Sequence, residues 1–175
     1  MKPSAFRPVL LLSLLLAFGA HAEEPRKIAF VDTGNTGRSV SAEALASRFI
    51  AEHGLKVAVI SRAVDMDPFD VKPEANAAQL LLERGLDVRA HVAAQMSAND
   101  ARHADLILTM TEKHKARVIE TFPEARDKTF TLAEYASGSH QDVPDAWGKP
   151  MAVYVAMIHQ LDELLPAALD KAALR

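Results

Sequence analysis

The 175-residue sequence contains no cysteine. A chain without cysteine forms no disulfide bond and offers no thiolate as a nucleophile or metal ligand. Internal repeats, low-complexity tracts and linkers are also missing from the sequence. Its length and apolar content suit one domain with one hydrophobic core. We therefore expect a single globular domain whose chemistry does not use thiols.

Long apolar runs are equally scarce, and the one that stands out is Val9–Phe18 near the start of the chain. Lys2 and Arg7 precede this run, and small residues follow it. This order is typical of a cleavable secretory signal, and the run is too short to span a bilayer comfortably, so a retained anchor is the less favoured alternative. We predict a signal peptide over residues 1–22 and a mature domain over residues 23–175. The mature protein is then periplasmic or secreted, with no membrane span.

Positive charge is also in deficit. The predicted mature segment carries 18 Lys and Arg against 23 Asp and Glu, which gives a formal charge of −5. Proteins that bind nucleic acid usually carry a basic stripe, and none is visible in this sequence. Nucleic acid is therefore not an expected partner.

Strand-like and helical patterns alternate along the rest of the chain. Such alternation predicts an α/β fold, a doubly wound four-stranded parallel sheet with helices on both faces. The predicted strands are Lys27–Val31, Val57–Ile60, Leu106–Met110 and Thr129–Leu132, and the predicted helices are Ser41–Glu52, Pro73–Arg84, Glu112–Thr121 and Met151–Leu169.

A glycine-containing turn joins the first predicted strand to the first helix. Gly34 and Gly37 are expected to allow positive φ angles and a close backbone approach, so that successive N–H groups point inward. Such a nest at the positive end of a helix dipole binds anions, and the fork of Arg38 suits two phosphate oxygens. In parallel sheets, ligands bind beyond the carboxyl ends of the strands, where this turn lies.

The chain around this turn resembles a known signature. Val31–Glu43 reads VDTGNTGRSVSAE, against V-C-x-G-N-x-C-R-S-P-x-A-E in the low-molecular-weight protein tyrosine phosphatases. Asp32 and Gly37 stand at the two cysteine positions of the signature, and Val40 stands at its proline. The first of those cysteines is the family's nucleophile, so the resemblance implies a phosphatase fold whose nucleophile is replaced by Asp32.

Three more segments carry the same resemblance. His91–Gln95 is similar to the family's H-x-A-R-Q, Ala104–Met110 to its A-D-L-I-L-x-M strand, and Asp142–Gly148 to its D-V-x-D-P-[FYW]-G loop. Within the family, Thr36 and the segment 126–140 look most like the bacterial protein-arginine phosphatases. The resemblance covers most of the predicted mature domain.

The resemblance implies roles for the matching residues. In the family a thiolate attacks phosphorus, an arginine and loop amides hold the oxygens, and an aspartate on a distant loop protonates the leaving group. The catalytic positions fall on Asp32, Arg38 and Asp145. The phosphate-binding positions are Thr33, Gly34, Asn35, Thr36, Gly37, Arg38 and Ser39, and the positions that brace the loop are Asn35, Ser39, Ser61 and His91.

Asp32 alters the expected chemistry. A carboxylate in the nest would repel a phosphate at a distance of about 4 Å. The repulsion would cost several kcal/mol at an effective dielectric constant of about 20. Enzymes that form an aspartyl phosphate usually recruit magnesium to offset this charge, and no obvious carboxylate cluster for that ion accompanies the turn. We therefore expect Asp32 to act as a built-in anion that competes with a ligand. The alternative is that Asp32 only caps the end of the strand.

Other side chains keep structural alternatives. His91 is a satisfied structural histidine or a proton carrier, and Asp145 is the general acid or a solvated turn residue. Trp147 and Tyr135 form an aromatic wall beside a substrate or cover the edge of the core. Three histidines lack the spacing of metal ligands and are expected at the surface: His114, His140 and His159.

Two functions remain as alternatives. The first is an exported pseudophosphatase that binds an anion, a phosphorylated ligand or a protein partner. The second is an active phosphatase for tyrosine or arginine phosphate on proteins, with Asp32 or water as the nucleophile. Either function makes phosphate or a phosphorylated protein the expected partner, and neither calls for a metal or another cofactor.

Overall fold

A computed structural model describes residues 24–174 of the protein. The predicted signal peptide therefore lies outside the described residues. Four parallel strands form one sheet in the order β2-β1-β3-β4, which confirms the predicted four-stranded parallel sheet. The strands are β1 (Arg26–Asp32), β2 (Val57–Ala63), β3 (Leu106–Thr109) and β4 (Thr129–Thr131).

Six α-helices and one short 3-10 helix connect and cover these strands within residues 24–174. Across the same range, every helix is too short or too polar to cross a lipid bilayer. The α-helices are α1 (Arg38–His53), α2 (Ala75–Glu83), α3 (Ala98–His103), α4 (Glu112–Thr121), α5 (Leu132–Ser137) and α6 (Met151–Ala173), and the 3-10 helix is Pro123–Lys128.

Strand β1 is the centre of the fold because side chains from both of its faces are buried. Ile28 and Phe30 enter a large apolar cluster that also contains residues of α1, α2, α5 and α6. Ala29 and Val31 point the other way, into a smaller cluster with residues of α3, α4 and the 3-10 helix. Successive side chains of a strand face opposite sides of the sheet, so helices cover both faces, as predicted.

Three short helices were not predicted: α3, α5 and the 3-10 helix. The two α-helices each begin with a reciprocal hydrogen-bond cap. At α5, Thr131 accepts the N–H of Glu134 while the Glu134 carboxylate accepts the N–H of Thr131. The prediction that β4 runs to Leu132 is therefore wrong by one residue, because this cap starts a helix there. Ser97 and Asp100 form the same arrangement at the start of α3.

The carboxyl end of the sheet gathers three loops. The backbone N–H of Val64, just after β2, donates to the carbonyl of Asp32 at 2.9 Å. The N–H of Val143 donates to the carbonyl of Met110, just after β3, also at 2.9 Å. The first bond ties the loop after β2 to the end of β1, and the second ties the loop before α6 to the end of β3. This is the edge of the sheet that is predicted to bind a ligand.

Candidate functional site

Asp32 is the last residue of β1 and points into the turn that follows. Its side chain is almost fully buried, at 3% exposure. Its Oδ1 accepts the backbone N–H of Asn35 at 2.6 Å, and its Oδ2 accepts the backbone N–H of Ser39 at 2.9 Å. The carboxylate therefore accepts one N–H group of the turn, from Asn35, and one from the first turn of α1, from Ser39. These bonds bear out the capping role of Asp32, and its competition with a ligand stays a prediction.

The turn from Thr33 to Gly37 reaches its shape differently from the expectation. Asn35 adopts the left-handed conformation, with φ of 59°, and neither Gly34 nor Gly37 has a positive φ. The expectation of positive φ angles at the two glycines is wrong, because asparagine tolerates the left-handed region well enough to make this bend. Gly37 instead allows the Glu74 side chain to approach the turn closely.

Asn35 is also the hub of the bonds that brace the turn. Its Nδ2 donates to Oγ of Ser39 at 2.9 Å, and its Oδ1 accepts the N–H of Ala94 at 3.0 Å. The imidazole Nε2 of His91 lies 3.0 Å from the Asn35 carbonyl oxygen. Both His91 and Ala94 belong to the H-x-A-R-Q-like segment, which thus stabilises the turn through these two contacts with Asn35.

The prediction that Ser61 braces the turn is wrong. Its hydroxyl donates a short hydrogen bond to the carboxylate of Glu43 on α1. It makes this contact because β2 lies at the edge of the sheet, with α1 packed against it. Ser61 therefore anchors the first helix, and its described hydrogen bond does not reach the turn.

Arg38 and Asp145 meet across the pocket. Nη2 of Arg38 lies 3.3 Å from Oδ2 of Asp145, and the arginine side chain is buried while the aspartate side chain is 62% exposed. Ala146 follows Asp145 and is buried, and the Asp145 carboxylate also accepts the N–H of Trp147. The arginine that would hold phosphate oxygens and the carboxyl group that would protonate a leaving group therefore face the same space.

His114 is a site residue that the sequence interpretation missed. The prediction that it lies at the surface is wrong, since it is 4% exposed and its Nε2 lies 2.8 Å from Oγ1 of Thr33. Burial, with the positive charge of Arg38 next in importance, lowers the pKa of His114 to about 4. The imidazole is therefore neutral at pH 7, and its Nδ1 has no hydrogen-bond partner among the described residues.

Glu74 is a second residue that the sequence interpretation missed. It immediately precedes α2, and its backbone N–H donates to the carbonyl of Thr36 at 2.9 Å. Tyr154 of α6 donates its hydroxyl to Oε2 of Glu74 at 2.5 Å. A Cβ atom at position 37 would overlap Oε1 of Glu74, so any larger residue there requires the Glu74 side chain to shift.

A cavity of about 300 Å³ opens above the turn and is strongly acidic. Trp147 forms one side and is 64% exposed, whereas Tyr135 is buried in the core, so only the tryptophan can act as an aromatic wall. Arg38 is the one basic side chain of the lining. Six carboxyl groups belong to the same lining: Asp32, Asp65, Asp67, Asp70, Glu74 and Asp145.

These carboxyl groups are not arranged as a metal site. Within residues 24–174, no group of three or more His, Asp or Glu side chains has a geometry that could hold a metal ion. His140 and His159, two of the histidines expected at the surface, pair with exposed glutamates on the outside of the fold. The site therefore consists of an amide-lined turn, one arginine, a rim of carboxylates and the buried His114 in contact with Thr33.

Comparison with known proteins places this architecture in a family. The model of the low molecular weight phosphotyrosine protein phosphatases matches residues 27–174. A protein-arginine-phosphatase of Bacillus subtilis is 40% identical over 138 residues, which cover 79% of this chain and 91% of that protein. The low molecular weight protein-tyrosine-phosphatase Wzb of Salmonella typhi is 33% identical over 141 residues, covering 78% and 87% of the two chains.

Solved structures agree with this match. A mutant of YwlE from Bacillus subtilis superposes with a TM-score of 0.79 at 38% identity, covering 83% of this chain and 97% of that one. The YwlE arginine phosphatase of Geobacillus stearothermophilus gives a TM-score of 0.76 at 35% identity, covering 84% and 92%. Fold and sequence point to one family over the whole described domain.

Proposed function

The chain belongs to the low-molecular-weight phosphotyrosine protein phosphatase family, and we propose that it is an exported member with impaired hydrolysis, whose pocket binds a phosphorylated protein or another anion. Phosphorylated proteins are the substrates that fit this family. The two parts of the proposal beyond the family are the loss of turnover and the export of the domain.

The carboxylate of Asp32 carries the proposal of impaired turnover. It stands at the position of the family's cysteine nucleophile and accepts two backbone N–H groups, from Asn35 and Ser39. N–H groups that would stabilise an incoming phosphate are thus already paired with a negative group. A carboxylate is also a weaker nucleophile than a thiolate. Its negative charge would repel a phosphate bound next to it.

Ligand binding is supported by the parts of the site that remain. Arg38 still faces the cavity, and its fork suits two phosphate oxygens. Asp145 is held within reach of Arg38, at 3.3 Å, where it would compete for the guanidinium with an anion or move aside for one. Trp147 adds an exposed aromatic face for the organic part of a ligand.

Protein arginine phosphate is the favoured ligand class within the proposal. The B. subtilis and G. stearothermophilus relatives are named protein-arginine-phosphatases, and this chain resembles that branch at Thr36, which is buried in the turn and lines the cavity. The acidic rim of the cavity suits a cationic guanidinium attached to the phosphoryl group better than a neutral tyrosine ring. Tyrosine phosphate is the competing ligand of the same test.

Export is supported by composition. Two cysteines five positions apart at one site would be oxidised by a disulfide-forming system outside the cytoplasm. A family member without either cysteine, with a signal-like segment before its domain, fits that environment. Fractionation of cells that express the full chain tests this part of the proposal, with the periplasm or the medium as the expected location and the cytoplasm as the contradicting one.

Turnover is tested with an aryl phosphate and with an arginine-phosphorylated peptide, with and without magnesium. The proposal predicts no hydrolysis above background by the wild-type protein, together with measurable binding of the phosphopeptide. The active-phosphatase alternative predicts hydrolysis by the wild type that the variant Asp32→Ala abolishes.

A further inference from the structure

Position 37 and Glu74 form a matched pair. The family signature has its second cysteine at position 37, and this chain has glycine there. A Cβ atom on residue 37 would overlap Oε1 of Glu74 and lie 3.0 Å from its Cδ, closer than neighbouring atoms normally pack. The carboxyl group of Glu74 therefore occupies the space that the second cysteine side chain would take. With Asp32 at the first cysteine position, a carboxyl group has replaced a thiol at both places.

Contacts from two directions fix Glu74 in that place. The N–H of Glu74 donates to the carbonyl of Thr36, which ties its backbone to the turn. The hydroxyl of Tyr154, on α6, donates to its Oε2 at 2.5 Å, which orients the side chain. Glu74 is thus part of the wall of the cavity, next to the turn that would receive an anion.

The charges around Glu74 are mostly negative. Asp32 and Arg38 face it from the turn and the start of α1, Asp145 faces it from the loop before α6, and Tyr154 faces it from α6 itself. The segment between β2 and α2 adds three carboxylates to the same cavity: Asp65, Asp67 and Asp70. Only the arginine among these groups favours a charged Glu74 through its own charge.

Burial raises the pKa of the Glu74 carboxyl group above its ordinary value. Asp145 and Asp32 raise this pKa further, whereas the hydrogen bond from Tyr154 and the charge of Arg38 lower it. Asp32 keeps its place through bonds from backbone N–H groups, so the two carboxyl groups of the site have different environments. Of the two, Glu74 is the carboxyl group whose raised pKa favours uptake of a proton.

We propose that Glu74 is a specificity-determining residue: its carboxylate excludes anions from the pocket, and an anion enters together with one proton that Glu74 takes up. The inference rests on the proposed function, because it concerns the same anion pocket. A protonated Glu74 removes one negative charge beside the turn and offers an O–H donor toward the ligand. A neutral thiol at position 37 would carry no such charge, so the proton linkage depends on the carboxyl group of Glu74.

Sulfate is the probe for the test, since it keeps two negative charges throughout the pH range used, whereas phosphate titrates there. Sulfate affinity is measured by calorimetry between pH 6 and pH 8, in buffers with different ionisation enthalpies, so that proton uptake is counted directly. Linkage predicts that the wild-type affinity rises as the pH falls, by up to about tenfold per pH unit, with uptake approaching one proton.

The variant Glu74→Gln keeps the size of the side chain and the acceptor for Tyr154. It is expected to bind sulfate more tightly than the wild type at pH 8 and to lose most of the dependence on pH. Asp67→Asn is the matched control, since it removes a carboxylate from the same cavity without touching the turn, and it should keep the wild-type slope. An unchanged slope in Glu74→Gln overturns the inference and leaves the proposed anion site standing.

Absence of sulfate binding by all three proteins, down to pH 6, overturns the inference and contradicts the anion site as well. The two failures are thus distinguishable in one series of titrations.

A separate measurement tests the matched pair without any ligand. Gly37→Ala is expected to lower the unfolding midpoint in the wild-type background, and to lower it by less than half as much in a Glu74→Ala background, where the space is free. Equal losses in the two backgrounds overturn the contact on which the inference is built.

Discussion

The Oδ2 atom of Asp32 accepts the backbone N–H of Ser39 at 2.9 Å, at the amino end of the first helix. This is the end where a helix carries its partial positive charge and where this fold is expected to bind an anion. The protein therefore carries its own carboxylate where the anion would contact the helix. Under the proposed function, stability and anion binding would use the same N–H groups, so one substitution should change both.

The variant Asp32→Ala should be less stable but more responsive to anions. Two buried N–H groups lose their acceptor, which costs about 1–3 kcal/mol of unfolding free energy. Added phosphate should then raise the unfolding midpoint of the variant more than that of the wild type, because the N–H groups are free. Thermal unfolding with and without phosphate measures both effects, and Asp127→Ala, at an exposed position away from the site, is the control. An equal phosphate effect on the wild type and the variant would falsify the competition between Asp32 and the ligand.

Replacement of Asn35 should separate backbone strain from lost hydrogen bonds. Asn35→Ala loses two side-chain bonds and must also hold alanine at a φ of 59°. We expect it to cost about 2–3 kcal/mol in denaturant unfolding, and Asn35→Gly to cost roughly 1 kcal/mol less, because glycine adopts positive φ freely. If the glycine variant is the less stable of the two, backbone strain is not part of the cost.

His114 should make the folded state sensitive to acid. Its pKa falls from 6.5 to about 4 on folding, so the unfolded chain binds a proton between these values while the folded chain does not. Its contribution to stability is therefore complete above about pH 6.5 and is lost as the pH falls toward 4, by at most about 3 kcal/mol.

Denaturant unfolding between pH 4 and pH 7 measures this loss. His114→Gln, which cannot titrate, should have a shallower dependence on pH than the wild type, while His159→Gln, at an exposed position, should match the wild type. Identical slopes for all three proteins would rule out His114 as the source.

The sequence predicted the sheet well and the short helices poorly. Strand β1 is buried on both faces, and its apolar run is visible at once, as are the long patterns of α1 and α6. The helices α3 and α5 are too short to show a period, although their caps, Ser97 with Asp100 and Thr131 with Glu134, are visible in the sequence as serine or threonine followed three residues later by an acid.

The site was predictable where a motif fixes it and hidden where distant segments meet. The positions of Asp32 and Arg38 follow from the turn between β1 and α1. His114 contacts Thr33, which is 81 residues away, and Glu74 accepts a hydrogen bond from Tyr154, which is 80 residues away. Local patterns carry no information about such contacts. A glycine at a position where the family signature has cysteine was the one sequence signal for Glu74.

The most direct test of the account is the hydrolysis of an aryl phosphate by Asp32→Cys, under reducing conditions, beside the wild-type protein. The double variant Asp32→Cys with Arg38→Ala is the control for the arginine. If Asp32 alone impairs a site that is otherwise assembled, the cysteine variant should hydrolyse the substrate at least about 100-fold faster than the wild type, and the double variant should lose most of that gain. Hydrolysis by the wild type that disappears in Asp32→Ala, or a folded Asp32→Cys protein that stays inactive, would contradict the account.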